Sequence, residues 1–228
     1  MSGTEKRVLV TGASSGIGAA VAAHLAGEGW QVTGMSRRAP QEPPPGYVHE
    51  AADLADGAAL SAALAGLPPF GAVVHAAGLL RVGPLDSFDH AAGETMWRLH
   101  VDAMARLIGG CAPRMEPGGR IVAIGSRVAQ GAAGRALYAA SKAALTGLVR
   151  SAAAELAPRG ITVNIVAPGA TDTPMLRDPA RASERPKLPP IGRMVQPGEV
   201  AGTAAFLLSP HAGAITGQSI VICGGGSL

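Results

Sequence analysis

Aromatic side chains are scarce in this chain, at 3% of residues, and charged ones make up only 15%. The first scarcity excludes nucleic-acid binding through basic patches with interleaved aromatics, and no Lys/Arg cluster of that kind is present. The second excludes a charge-solvated, disordered chain, because 47% of the residues are apolar. Cysteine is limited to Cys111 and Cys223, far apart and without a Cys-x-x-Cys, so no disulfide framework is legible and a reducing, cytoplasmic setting is expected. The six histidines are scattered without metal-ligand spacing, and no metal is expected. No apolar run approaches the roughly 20 residues of a membrane span. The opening Met-Ser-Gly-Thr-Glu-Lys-Arg lacks the pattern of a secretory signal. The net charge of +3 leaves room for an anionic ligand.

What is abundant is glycine, 32 residues, and small aliphatic side chains, which suit close packing of helices on a sheet. A chain of 228 residues fits one domain with a substantial core, and no repeat or linker divides it. Short apolar runs read as buried strands at Arg7–Thr11, Gln31–Ser36, Gly71–His75, Arg120–Ser126, Ile161–Ala167 and Ser219–Ile222, with a weaker one near Tyr47–His49. Helical patterns fall between them: Ala19 to about Glu28, Gly57 to about Leu67 behind a cap at Asp53-Leu54, a long segment from about Ala91 to Met115, Arg135 to Leu156, and Pro197 to Leu208. Residues Asp172–Val195 are rich in Pro and Arg and show no period. Strands alternating with helices predict an α/β domain with a doubly wound parallel sheet of about seven strands, covered by helices on both faces.

In such sheets, ligands bind beyond the carboxyl ends of the strands. At those ends stand the turn Gly12-Ala13-Ser14-Ser15-Gly16-Ile17-Gly18, Ser36 with Arg37 and Arg38, Gly78, Ser126, and Pro168-Gly169. A strand, a glycine-rich turn and a helix place backbone N–H groups against a phosphate. An acid after the second strand would bind the ribose hydroxyls of NAD(H), whereas arginines there accommodate the 2′-phosphate of NADP(H). The two arginines favour NADP(H). On the Ala-rich segment Leu137–Leu145, Tyr138 and Lys142 are four residues apart and share one helix face. A phenol has a pKa of about 10, and a neighbouring ammonium makes it a better acid near neutral pH. The pair is a candidate proton-transfer device.

Taken together, these residues resemble the classical short-chain dehydrogenases/reductases, a family with a single-domain Rossmann fold. Thr11 to Gly18 is similar to its cofactor signature, Ser126 with Tyr138-x-x-x-Lys142 to its catalytic set, Pro168-Gly169-Ala170-Thr171-Asp172-Thr173 to its nicotinamide-side loop, and Ile215-Thr216-Gly217-Gln218 to its C-terminal segment. The resemblance spans nearly the whole chain. It implies a carbonyl reductase or alcohol dehydrogenase that interconverts a ketone and a secondary alcohol with NADP(H). Gly12, Ser14, Ser15, Gly16, Ile17 and Gly18 would line the diphosphate, Ser36, Arg37 and Arg38 the 2′-phosphate, and Asp53 and Leu54 the adenine. Ala77 and Gly78 would pass beside the adenosine ribose, Tyr138 and Lys142 would reach the nicotinamide ribose, and Pro168, Gly169, Thr171 and Thr173 would hold the carboxamide and phosphates. Tyr138 would act as general acid/base, Ser126 would orient the reacting oxygen, and Lys142 would keep the Tyr138 pKa down.

The chain departs from the family at three points, one of them the slightly tight spacing of Ser126 and Tyr138, twelve residues apart with Gly131, Ala132, Ala133 and Gly134 between them as a loop to absorb it. Where the family carries Asn in the middle of the fourth helix, the matching segment Leu99-His100-Val101-Asp102-Ala103 offers Asp102, which is expected to join the proton relay. The usual Asn-Asn-Ala-Gly is His75-Ala76-Ala77-Gly78, and His75 is expected to be a packed strand-end residue. Leu79, Leu80, Arg127, Val128, Leu137 and Ala170 are expected near a mostly apolar substrate cleft, with Arg127 either pairing with a substrate anion or pointing to solvent. The small faces of the helices at about 91–115 and 135–156 suit a homotetramer, with a dimer as the alternative. Two other functions stay open: an isomerase or lyase with a retained nicotinamide, and a catalytically silent, nucleotide-responsive regulator.

Overall fold

The structure is a computed structural model that describes residues 6–177 and 187–228. Its strands are β1 (Arg7–Thr11), β2 (Gln31–Ser36), β3 (Val48–Ala51), β4 (Ala72–His75), β5 (Arg120–Ile124), β6 (Thr162–Pro168) and β7 (Ser219–Ile222). All pair in parallel, in the order β3-β2-β1-β4-β5-β6-β7. The helices are α1 (Gly16–Gly27), α2 (Gly57–Gly66), α3 (His90–Trp97), α4 (Ala103–Cys111), α5 (Ala136–Leu156) and α6 (Pro197–Leu208). This is the doubly wound Rossmann arrangement that the alternation of elements predicted.

The strand pleat divides the core in two, because successive side chains leave opposite faces. Leu9, Val73, Ile121, Ala123, Val163 and Ile165 pack with Leu60 and Leu64 of α2, Met104 and Leu107 of α4, and Leu145 and Val149 of α5. Val8, Val10, Val74, Val122 and Val166 pack with Val21 and Leu25 of α1 and with Val200, Ala204 and Leu207 of α6. With helices on both sides, the central strands are apolar at nearly every position. The strand order reverses between β1 and β4, and beyond the carboxyl ends of those two strands a crevice opens.

Several boundaries differ from the sequence expectation, β3, β4 and β6 by a residue or two and four others more. Helix α1 begins at Gly16, so part of the glycine-rich turn is its first turn. The cap of α2 is Asp56, which accepts from the N–H groups of Ala58 and Ala59 at 3.0 Å, while Asp53 accepts from Ala55 at 3.0 Å in its own turn. β5 stops at Ile124, and Ser126 caps a 3₁₀ turn, Arg127–Gln130. The long helix expected over 91–115 is interrupted: α3 and α4 are joined by a π-helical turn, Arg98–Asp102, and a 3₁₀ turn, Ala112–Arg114, follows. The described part of the 172–195 segment is largely irregular, with a 3₁₀ turn at Pro174–Arg177, and residues 178–186 lie outside the described residues.

Candidate active site

The glycines of the β1–α1 turn are there for steric reasons. Gly12 has φ +69°, and a Cβ on it would stand 2.7 Å from the Ala77 Cα. A Cβ on Gly18 would lie 2.2 Å from the Gly12 carbonyl oxygen. Gly16 has φ +56°, in the left-handed region. The turn is thereby folded on itself and against the end of β4. Ser15 stands at the N-cap of α1, yet its hydroxyl makes no capping bond and the first turn holds no acid. The exposed amide end of α1 therefore keeps its capacity for an anion.

Around the turn, Arg37 and Arg38 are exposed just past β2. The Ser36 hydroxyl is spent on the Arg38 carbonyl at 2.8 Å, which fixes the arginine-bearing bend. Asp53 is exposed, whereas Leu54, expected at the adenine, turns its side chain into the core at 5% exposure. Only its backbone is left for a ligand. Thr173 lies against Gly16, with its Cγ2 3.4 Å from where a Cβ would sit, so the loop after β6 reaches back over the glycine turn. The buried Thr171 donates to the Gly169 carbonyl at 3.1 Å and bridges to Val195.

A cavity of about 580 Å³ extends from this turn. Ile17, Gly78, Ser126, Tyr138, Lys142, Gly169, Thr171 and Thr173 all line it. Ser126 is brought there because β5 ends early and Gly125 bonds across to the Val166 carbonyl at 2.8 Å. The Ser126 oxygen accepts from the Val128 N–H at 3.1 Å, and its own O–H remains a donor. Tyr138 occupies the first turn of α5, and Lys142 follows one turn later on the same face. Lys142 is buried, and its Nζ donates to the Ile124 carbonyl at 2.8 Å. Burial lowers its pKa to about 7, so both charge states are accessible near neutrality.

Asp102 is not at this site. Its carboxylate receives the Arg106 Nε at 2.8 Å, and Arg106 also donates to Ser61 of α2 at 3.0 Å. The residue beside Lys142 is His100, two positions earlier and fully buried. Its Nε2 accepts from the Leu79 N–H at 3.0 Å, which leaves Nδ1 as the protonated nitrogen, donating to Ser141 Oγ at 2.9 Å. Ser141 passes the chain on to the Tyr138 carbonyl at 2.8 Å. The imidazole also stands edge-on to the Tyr138 ring, with centroids 5.6 Å apart. Burial first, then the Lys142 and His75 charges, hold His100 neutral, far below the usual imidazole range. The signal for His100 was in the sequence. Met96, His100, Met104, Leu107 and Cys111 form one buried stripe at three- and four-residue steps, whereas Asp102 pairs with Arg106 on another side.

His75 is packed at the strand end. Thr11 Oγ1 donates to its Nδ1 at 2.8 Å, and its Nε2 donates to the Leu99 carbonyl of the π-helical turn at 3.0 Å. Burial and the Lys142 charge lower its pKa to about 3. Among the described residues no group of three His, Cys, Asp or Glu could hold a metal ion, and no helix is long and apolar enough to cross a membrane.

A family model described as enoyl-(acyl carrier protein) reductase matches residues 12–227. The chain is 37% identical over 242 residues to 2,3-dihydro-2,3-dihydroxybenzoate dehydrogenase of Escherichia coli (strain K12), covering 98% of this chain and 97% of that one. It is 35% identical over 238 residues to a 3-oxoacyl-(acyl-carrier-protein) reductase of Vibrio cholerae serotype O1, covering 96% of each. A crystal structure of a short chain dehydrogenase from Burkholderia cenocepacia J2315 in complex with NADP superposes with a TM-score of 0.88 at 34% identity, over 99% of both chains.

Proposed function

The chain belongs to the short-chain dehydrogenase/reductase family of oxidoreductases, and on that premise we propose that it interconverts a ketone and a secondary alcohol with NADP(H). The observation that carries this reading is the convergence of Ser126, Tyr138 and Lys142 on one cavity continuous with the glycine turn. NADP(H) is favoured because Arg37 and Arg38 stand where an acid would bind the ribose of NAD(H), and because the Burkholderia cenocepacia relative is a complex with NADP. The residues fit that group: Gly12 and Gly16 adopt left-handed backbone, Gly18 leaves no room for a side chain, and the amide end of α1 is open. The cofactor, when bound, supplies or accepts the hydride at the carbonyl carbon.

This chain's own residues do the rest. Gly12 and Ser14 to Gly18 present backbone N–H groups to the diphosphate, and the Arg37 and Arg38 guanidinia meet the 2′-phosphate. Asp53 and the Leu54 backbone would border the adenine, and Ala77 and Gly78 its ribose. Pro168, Gly169, Thr171 and Thr173 would hold the nicotinamide end. In the reductive direction Tyr138 gives its proton to the reacting oxygen, and the Ser126 O–H donates to the same oxygen, where negative charge develops. Lys142 in its ammonium form favours the Tyr138 phenolate and so strengthens the acid. His100 is a positioning residue. It holds Leu79 and the Tyr138 ring in place and, being neutral, adds no second positive charge.

The test is NADPH absorbance with purified protein and a panel of cyclic ketones, 3-oxo thioesters and aliphatic ketones. Net oxidation is the expected result. Tyr138→Phe should lower turnover on the order of a hundred- to ten-thousandfold, with the NADPH dissociation constant changed only a few-fold. Product without net NADPH consumption would support an isomerase or lyase instead. NADPH binding without turnover of any panel member would support a regulator.

A further inference from the structure

We propose that the substrate carries an anionic group, a carboxylate, close to its reacting carbon, and that Arg127 is the residue that reads it. The proposal rests on the oxidoreductase reading above and names the substrate class of that same cavity.

Arg127 directly follows Ser126, and both line the cavity. Adjacent Cα atoms are about 3.8 Å apart, so the arginine enters the same cavity from the position next to Ser126. It is half-buried, and its stem is laid across backbone: a Cβ on Gly169 would stand 3.6 Å from the Arg127 Cδ, and one on Gly226 would stand 3.6 Å from its Nε. Those two glycines give the guanidinium a walled position instead of a free swing into solvent. Among the described residues the Arg127 guanidinium has no hydrogen-bond or ion-pair partner.

The charges around it are of one sign. Among the described residues, Arg135, Lys142 and Lys187 also line the cavity, and no Asp or Glu does. Lys142 spends its Nζ on the Ile124 carbonyl. The carboxylate of the adjoining loop, Asp172, is taken by Arg177 at 2.7 Å, and Glu199 is taken by Arg193 at 2.7 Å. The cations attributed to the 2′-phosphate, Arg37 and Arg38, are not among the cavity's lining residues. A half-buried guanidinium on an otherwise apolar wall of Leu79, Leu80 and Val128 gains most from a planar anion that accepts two parallel N–H bonds, which is what a carboxylate offers. The same cation could be met by a phosphate on a carrier arm, and the experiment separates the two.

The probes are benzoate and benzamide, isosteric apart from charge, titrated by calorimetry into the protein saturated with NADP+. A phosphopantetheine thioester is added as a third arm. Wild type should bind benzoate on the order of ten to a hundred times more tightly than benzamide. Arg127→Met keeps the stem that packs on Gly169 and should bring the two constants together, and Arg127→Lys should restore part of the difference. Thermal melting of both variants checks that they fold. Equal or absent binding of benzoate and benzamide by wild type would overturn the proposal, as would a benzoate preference that survives in Arg127→Met. Arg127-dependent binding of the phosphopantetheine thioester without benzoate discrimination would overturn the carboxylate assignment in favour of a carrier phosphate. Failure of NADP+ to bind would count against the oxidoreductase reading alone, because the benzoate–benzamide comparison on the protein without nucleotide still decides the anion site.

Discussion

His75 and His100 are buried imidazoles that both feel the Lys142 charge, and all three refuse protons that they would take in water. The unfolded chain takes up a proton at His75 near pH 6.5, whereas the folded chain resists until about pH 3. Between those values the unfolded state binds more protons, so stability falls as the solution is acidified. For Lys142 the interval runs from about 7 up to 10.5, and there stability rises with pH. Urea midpoints measured from pH 7.5 down to 4.5 should decline, and His75→Asn should decline less steeply than wild type. Equal slopes would show that His75 is not held neutral. At this scale the sequence carried Ser126, Tyr138 and Lys142 to one cavity, because strand-end position and helix spacing are local properties. Asp102, expected in the relay from its place in the segment matching the family's fourth helix, pairs instead with Arg106 on another side, and the buried stripe through Met96 and Met104 brings His100 to the site. The orientation of Leu54 was likewise hidden, since whether a strand-end leucine faces core or ligand depends on the helix that covers it.

Among the elements, the cap of α2 is a testable correction. Asp56 receives two N–H groups at 3.0 Å, whereas Asp53 receives one from its own turn. Asp56→Ala should lower unfolding stability by about 1 kcal/mol, and Asp53→Ala by less, as measured by chemical denaturation. The reverse order would reinstate the earlier position of the cap. Both residues suit an N-cap by type, and only the observed start of the helix separates them. The π-helical turn Arg98–Asp102 was similarly illegible. Apolar residues run on through it with helical spacing, and the widened turn is visible only where the Leu99 carbonyl meets His75 at the end of β4. The boundaries of β1, β2, β7 and α6 were readable because Gly, Pro or a change of period marks each end.

For the molecule as a whole, the parallel architecture was legible from the alternation of elements, while its outer surface was not. We propose that the chain assembles as a homotetramer. Ala140, Ala143 and Gly147 lie along an exposed face of α5, and Phe206 on α6 and Val221 on the edge strand β7 are 46% and 45% exposed. Faces of this kind suit subunit contacts. Light scattering should give four copies of the 22.7 kDa chain, and Phe206→Glu combined with Val221→Glu should shift the mass to a dimer or monomer. A monomeric wild type would remove the proposal. The sheet order also sets a schedule for synthesis. β1 sits in the middle, between β2 and β4, so a ribosome delivers the nucleotide-facing half, through Gly78, well before Ser126 emerges. At that stage β4 offers an open row of backbone groups that only β5 will later satisfy. A nascent chain of this length therefore exposes an unpaired strand edge in that interval, before Ser126, Tyr138 and Lys142 have been added.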